Sequence, residues 1–237
     1  MMHIPEHFLE LDQIYHATLA RQIRSLCITS TNPGEGVSTL VLSLARRHLL
    51  AGRSTLLLDL NLHRPSLHLT HQLPRLRATQ ALLSAPQPIS LANTESLCAV
   101  VSAPLERNNL LKLRAPGILE GYIKQWLEKF DAVMIDASPI SSINGGNLPS
   151  ERSASACDAT LISVLSGSTT ETMIKSTVHK LNHANALVLG CVLNDRINPT
   201  LKNELLREVN RLSKHFPSIA AWLSHKIRNN PLLSLEV

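Results

Sequence analysis

The stretch ITSTNPGEGVSTL, residues 28–40, has the residue types of a loop that holds a phosphate group. Such a loop needs small residues, so that successive backbone N–H groups can turn inward on an anion. It also needs a helix N-terminus behind it, whose dipole adds attraction. Gly34, Gly36, Ser38 and Thr39 meet both needs. Loops of the form G-x-x-x-x-G-K-[ST] carry, in addition, a lysine that reaches the phosphate oxygens. Here Thr31 stands at the first glycine position and Val37 at the lysine position. The loop keeps its shape-giving residues and lacks its cation.

Two carboxylates extend the pattern. Asp59 ends the apolar run TLLLD and Asp136 ends AVMID. A carboxylate at the tip of a buried strand is costly unless a cation, a water or a donor faces it. With the Ser38 hydroxyl, the two aspartates form a donor set suited to Mg²⁺, which takes a few oxygen ligands and keeps its waters. Capping of the following loop or helix is the other use of an aspartate in this position.

The elements that must position these residues are legible as alternating patterns. SLCITS, STLLLDL, LCAVVSA, DAVMIDA, ATLISVL and ALVLGCVLN read as strands, mostly near-continuous apolar runs of the kind buried on both faces of a parallel sheet. Between them, STLVLSLARRHLLAG, GILEGYIKQWLEKF and TTETMIKSTVHKLNHA read as helices, the first closed by Gly52. The stretch 70–97 is broken by Pro74, Pro86 and Pro88 and carries no clear element. The expected fold is α/β, doubly wound, with a mostly parallel sheet and helices on both faces. Ligands of such sheets bind beyond the carboxyl ends of the strands, where all the candidate residues fall. The expected organisation is an N-terminal helical segment (1–24), a main domain (25–213) and a C-terminal helix and tail (214–237).

Composition narrows the function classes. The chain has 237 residues, 44% hydrophobic and 17% charged, which allows a sizeable core. Aromatic residues make up 3%, too few for a base-stacking platform, which argues against nucleic acid as a partner. The net charge is +5, and Lys112 is the first lysine in the chain. Cys27, Cys98, Cys157 and Cys191 form no CxxC pair and read as buried free thiols in a reducing compartment. No signal peptide and no membrane-spanning run stands out, so a cytoplasmic location is expected. His63, His68 and His71, with Arg64, suggest a solvated or anion-facing loop rather than a metal site. No G-x-S-x-G elbow is present.

Taken in order, STNPGEGVST, LLLDLNLHRPSLH, MIDASP and the later CDATLISVLSGSTTETMIKSTVHKLNHANALVLGCVLND resemble the cytoplasmic domain of bacterial tyrosine kinases of capsule and exopolysaccharide biosynthesis. These are relatives of the ParA/MinD-type P-loop ATPases. The resemblance covers roughly residues 25 to 195. It implies a P-loop domain that binds ATP or ADP with Mg²⁺. It assigns the phosphate loop to Gly34, Glu35, Gly36, Val37, Ser38 and Thr39, the metal shell to Ser38, Asp59 and Asp136, and the catalytic carboxylates to Asp59 and Asp136. Asn194 falls where relatives have an asparagine near the nucleotide base. The implied partner is a membrane polysaccharide co-polymerase, which would bring the protein to the inner face of the membrane; a homo-oligomer stays open.

The departures fall on the chemistry. Val37 replaces the lysine, Asn61 the second aspartate of D-x-D, and His63 the arginine two positions on. The only tyrosines are Tyr15 and Tyr122, so the tail from His215 to Val237 has no autophosphorylation target. The expectation is a degenerate member, a pseudo-enzyme that regulates polysaccharide synthesis or export with nucleotide binding weakened by Val37. Two other readings stay open: an active ATPase or tyrosine kinase acting in trans, and a ParA/MinD-like positioning ATPase that binds membrane or DNA. For the latter, residues 216–230 place Phe216, Ile219, Ala220, Leu223 and Ile227 at helical spacing with Lys226 and Arg228 beside them. A helix packing on the domain or on a partner has the same pattern.

Overall fold

The computed structural model describes residues 4, 8–62, 65, 67, 82–92, 96–104, 106–142, 146–195, 205, 206, 209 and 217–228. His63, Arg64, His68 and His71 lie outside the described residues. The chain divides into two compact units, the first made of residues 1–165 and 169–194, the second of 166–168 and 195–237.

In the first unit, α1 (Leu9–Ala17) leads to β1 (Ser25–Ser30), α2 (Val37–Leu50) and β2 (Thr55–Asp59). β3 (Gln87–Ile89), β4 (Cys98–Ser102), α3 (Arg107–Leu113) and α4 (Ile118–Trp126) follow. The unit then continues through β5 (Ala132–Asp136), α5 (Ser150–Ser155), β6 (Ala159–Leu165), α6 (Glu171–His183) and β7 (Val188–Asn194). The strands form one sheet in the order β3-β4-β2-β5-β1-β6-β7, with every neighbouring pair parallel except β3 with β4. This is the doubly wound, mostly parallel sheet expected from the apolar runs. β3 is the element the sequence hid, since it is three residues long with Pro88 at its centre, tolerated there because the strand lies at the sheet edge.

The strands are buried on both faces, and alternate residues feed two cores. Leu56, Leu58, Val133 and Ile135 join Leu119, Ile123, Trp126, Ala154 and Leu181 on one side of the sheet. Leu57, Met134, Leu26 and Ile28 join Leu11, Tyr15, Leu40, Val41 and Leu44 on the other. Helices therefore cover both faces. Their ends carry local signals: α2 closes with Gly52 at φ +75° and has Arg47 in its last turn, favoured by the helix dipole. The Thr170 hydroxyl accepts from the Met173 N–H at 3.3 Å to cap α6. Thr170→Ala is expected to cost about 1 kcal/mol, measured by urea denaturation.

α1 is held on α2 by an ion pair between Asp12 and Arg47, whose guanidinium also lies 4.6 Å from the Tyr15 ring centre. His48 packs its ring 5.8 Å from the same tyrosine and is 5% exposed, with neither ring nitrogen hydrogen-bonded. Burial holds its pKa down to about 4, with the Asp131 carboxylate opposing and Arg53 and Arg47 adding to the shift. The unfolded chain binds this proton near pH 6.5, so the stability from neutral His48 is complete above that pH and drains away toward pH 4. Lowering the pH from 7.5 to 5 is expected to cost about 1–2 kcal/mol through this residue. Denaturant titrations of wild type and His48→Phe at the two pH values measure the difference.

Two of the cysteines depart from the expectation of burial. Cys27 and Cys98 are buried, whereas Cys157 is half-buried and Cys191 exposed. Cys191 sits on β7, an edge strand whose side chains alternate between partly covered and open, so an apolar run there does not mean a buried one.

The second unit contains α7 (Pro217–Arg228) and its own small apolar cluster, where Val209 and Ile227 pack with Leu206 and Leu223. Trp222 is 58% exposed, with the Lys226 ammonium 4.8 Å above its ring.

Candidate functional site: a phosphate loop beside two strand-end carboxylates

β1 lies between β5 and β6, and the chain turns out of it toward β2 and later toward β6 in the opposite direction. Such a reversal opens a crevice at the carboxyl ends of the strands. The segment Thr31–Gly36 spans that point, from the end of β1 to the start of α2. Gly34 has φ +86° and Gly36 φ +95°, backbone angles that side chains strain against. At Gly36 space is closed as well: a Cβ would come within 2.3 Å of the Asn194 amide nitrogen. The Leu40 N–H bonds the Gly36 carbonyl at 3.0 Å, so the N–H groups of the first turn of α2 point past its N-terminal end. They are the donors an anion would meet.

Asp59 and Asp136 are direct register partners on the adjacent strands β2 and β5, at 1% and 0% exposure, and Asp136 is in turn level with Ile28 of β1. The sheet thus lines up Asp59, Asp136 and the loop in strand order at its carboxyl edge. Asp59 Oδ2 accepts from the Leu67 N–H at 3.1 Å. The Cys27 thiol is pushed up by burial first and by the Asp136 charge second. Two acidic oxygens and the Ser38 hydroxyl in the first turn of α2 match what Mg²⁺ requires, given that it retains several waters. Among the described residues there is no group of three or more His, Cys, Asp or Glu that could hold a metal ion.

Val37 leaves no open gap at the position where such loops carry a lysine. It is 6% exposed and belongs to the same apolar cluster as Leu40, Val41 and Leu67. No arginine with a described partner replaces it. Arg24 bonds the Leu127, Phe130 and Asp131 carbonyls, Arg46 the Leu91 carbonyl, Arg114 the Asn147 carbonyl; Arg47, Arg53 and Arg152 pair with Asp12, Asp131 and Glu120.

Two residues assigned to the nucleotide by resemblance turn toward the loop itself. Glu35 is 1% exposed, and its carboxylate accepts from the Thr31 N–H (2.9 Å), the Asn32 amide (3.3 Å) and the Thr169 hydroxyl. Its carbonyl accepts from Ser163 Oγ at 2.6 Å and from Asn194 Nδ2 at 3.0 Å. Thr31 Oγ1 meets Thr177 Oγ1 of α6 at 3.0 Å. Ser163, Thr169 and Thr177 were not among the residues singled out in the sequence. The only signal was the glutamate: an acid in a glycine-rich loop, with no cation beside it, has to find donors elsewhere.

The fold is that of the P-loop NTPase-like α/β sheets. No family model matches the chain. Its relatives by sequence are bacterial tyrosine-protein kinases: it is 26% identical over 187 residues to tyrosine-protein kinase YwqD of Bacillus subtilis, covering 77% of each chain. It is 24% identical over 178 residues to tyrosine-protein kinase CpsD of Streptococcus pneumoniae, covering 73% of this chain and 76% of that one. Among solved structures, the kinase domain of Escherichia coli tyrosine kinase ETK superposes with a TM-score of 0.62 at 15% identity, over 73% of this chain and 68% of that one. The septum site-determining protein MinD of Pyrococcus horikoshii, complexed with Mg-ADP, gives 0.55 at 18%, over 74% and 71%. The expected resemblance to bacterial tyrosine kinases is met in sequence, and the likeness to MinD is one of fold.

Proposed function

We propose that this protein is a degenerate tyrosine-kinase-like P-loop protein that binds Mg²⁺-ADP or Mg²⁺-ATP weakly, turns it over slowly or not at all, and regulates capsule or exopolysaccharide synthesis. The burial of Val37 in the apolar core, at the position of the phosphate-contacting lysine, is the observation that carries the reading. Ser38, Asp59 and Asp136 would hold the ion, and the first-turn N–H groups of α2 the phosphates. The bound Mg²⁺ would supply charge neutralisation on the phosphates. With Val37 at the lysine position, that position offers no cation for charge developing during phosphoryl transfer, and removal of one such stabiliser costs about 10²–10³ in rate. The membrane polysaccharide co-polymerase remains the proposed partner, on the strength of the kinship with the capsule kinases. The proposed division of labour is an N-terminal segment 1–24, a nucleotide domain 25–213 and a C-terminal helix 214–237.

Calorimetry with Mg²⁺-ADP and Mg²⁺-ATP, together with phosphate release, tests this. Measurable binding that is lost in Asp136→Asn, with phosphate release at background, is the expected result. Turnover at about 1 s⁻¹ or faster, the range of working kinases, would overturn it. For peripheral membrane contact the supporting observation is the exposed Trp222 with Lys226 over its ring. Sedimentation with anionic vesicles, lost in Trp222→Ala, is what that contact predicts.

A further inference from the structure

α6 turns Thr177 and Leu181 toward the sheet and buries both. A helix rotates about 100° per residue, so the positions two further on lie on its opposite, outer side. Those positions are His179 and His183, and both are exposed. At i and i+4 they stand one above the other on a single helix face, with ring centres 6.1 Å apart and ring planes at 62°. The backbone beneath them is held in place. Leu181 is fully buried, Thr177 Oγ1 meets Thr31 Oγ1 at 3.0 Å, and Thr170 caps the first turn.

We propose that His179 and His183 form a two-imidazole site for a divalent transition-metal ion, Cu²⁺, Ni²⁺ or Zn²⁺, on the outer face of α6. Imidazole nitrogen is a ligand these ions favour, whereas Mg²⁺ takes oxygen. Histidines at i and i+4 on one helix are spaced so that both rings reach one ion. An ion lies about 2.0–2.1 Å from each ring nitrogen, and rotation of two exposed side chains between rotamers closes the present gap. Once one ring has bound, the other is already beside the ion, so the second bond forms at high effective concentration. The site lies in the last turn of α6, where the negative end of the helix dipole favours a cation. The ammonium of Lys175, one turn before His179, is paired with Glu171 at 2.6 Å. Two protein ligands leave the remaining coordination positions to water. The inference does not depend on the nucleotide reading, whose ion would take the oxygens of Ser38, Asp59 and Asp136.

Calorimetry of the full chain with Ni²⁺, in the presence of excess Mg²⁺, tests it. Wild type is expected to bind one ion per chain that His179→Ala and His183→Ala each weaken about tenfold or more, since either change breaks the chelate. His16→Ala removes an exposed histidine of α1 that has no second histidine four positions away, and is expected to keep the ion. Ni²⁺ at about 100 times its Kd is expected to raise the wild-type melting temperature by about 5 °C and to leave both single variants nearly unmoved. All three substitutions are at exposed positions, and matching urea denaturation curves without metal would show that lost binding is not lost folding. Absence of binding, equal binding in wild type and either variant of the pair, or an equal loss in His16→Ala would overturn the proposal. So would displacement of Ni²⁺ by Mg²⁺, which would assign the ion to oxygen ligands instead.

Discussion

Replacing Val37 with lysine is expected to tighten Mg²⁺-ADP binding about 10- to 100-fold while lowering the melting temperature of the ligand-free protein. The two effects have separate origins. A charge-assisted hydrogen bond to phosphate contributes about 1.5–3 kcal/mol, which is roughly one to two powers of ten in affinity. The cost arises because Val37 is 6% exposed and packs with Leu40, Val41 and Leu67. A lysine stem can replace part of that contact while its ammonium reaches the crevice, but the branched methyl groups are lost, at about 1 kcal/mol. Calorimetry and thermal melts on one preparation measure both. Equal affinity in wild type and variant would mean that the first turn of α2 does not face the phosphates.

Gly36→Ala is expected to destabilise the protein by about 2–4 kcal/mol, a large effect for a single methyl group. Backbone strain is one part, since φ is +95° at this position. Collision is the other: the added carbon falls 2.3 Å from Asn194 Nδ2, which is held in place 3.0 Å from the Glu35 carbonyl. The double variant Gly36→Ala/Asn194→Ala removes the collision and keeps the strain, so a thermodynamic cycle apportions the two. Urea denaturation of the four proteins measures it, and a cost below 1 kcal/mol in the single variant would place the loop elsewhere.

Much of the fold could be read because strands buried on both faces announce themselves. LLLD and AVMID have no polar residue until the terminal aspartate, and both became central strands ending at the crevice. β3 escaped because Pro86 and Pro88 interrupt its pattern, and its place is fixed by antiparallel pairing with β4 rather than by its own propensity. The alternating burial of β7 cannot be told from sequence, where ALVLGCVLN looks as continuous as the inner strands. At the site, the glycines and aspartates have spacing that the sequence displays. The bonds of Glu35 to Ser163, Thr169 and Asn194 do not, because they join residues more than a hundred positions apart by the geometry of the sheet.

That sheet order also governs how the protein can be made. β1 pairs with β5 on one side and β6 on the other, and both are translated long after it. A nascent chain that has emerged as far as β4 holds β1 with two open edges, apolar and covered on one face only by α1 and α2. Exposed strand edges of this kind recruit other chains. Any message or protein truncated before residue 132 would therefore yield a fragment prone to aggregate rather than a smaller folded protein. The late insertion of Ala132–Asp136 bridges β1 to β2 and brings Asp136 level with Asp59 in the same step, leaving the other edge of β1 to β6.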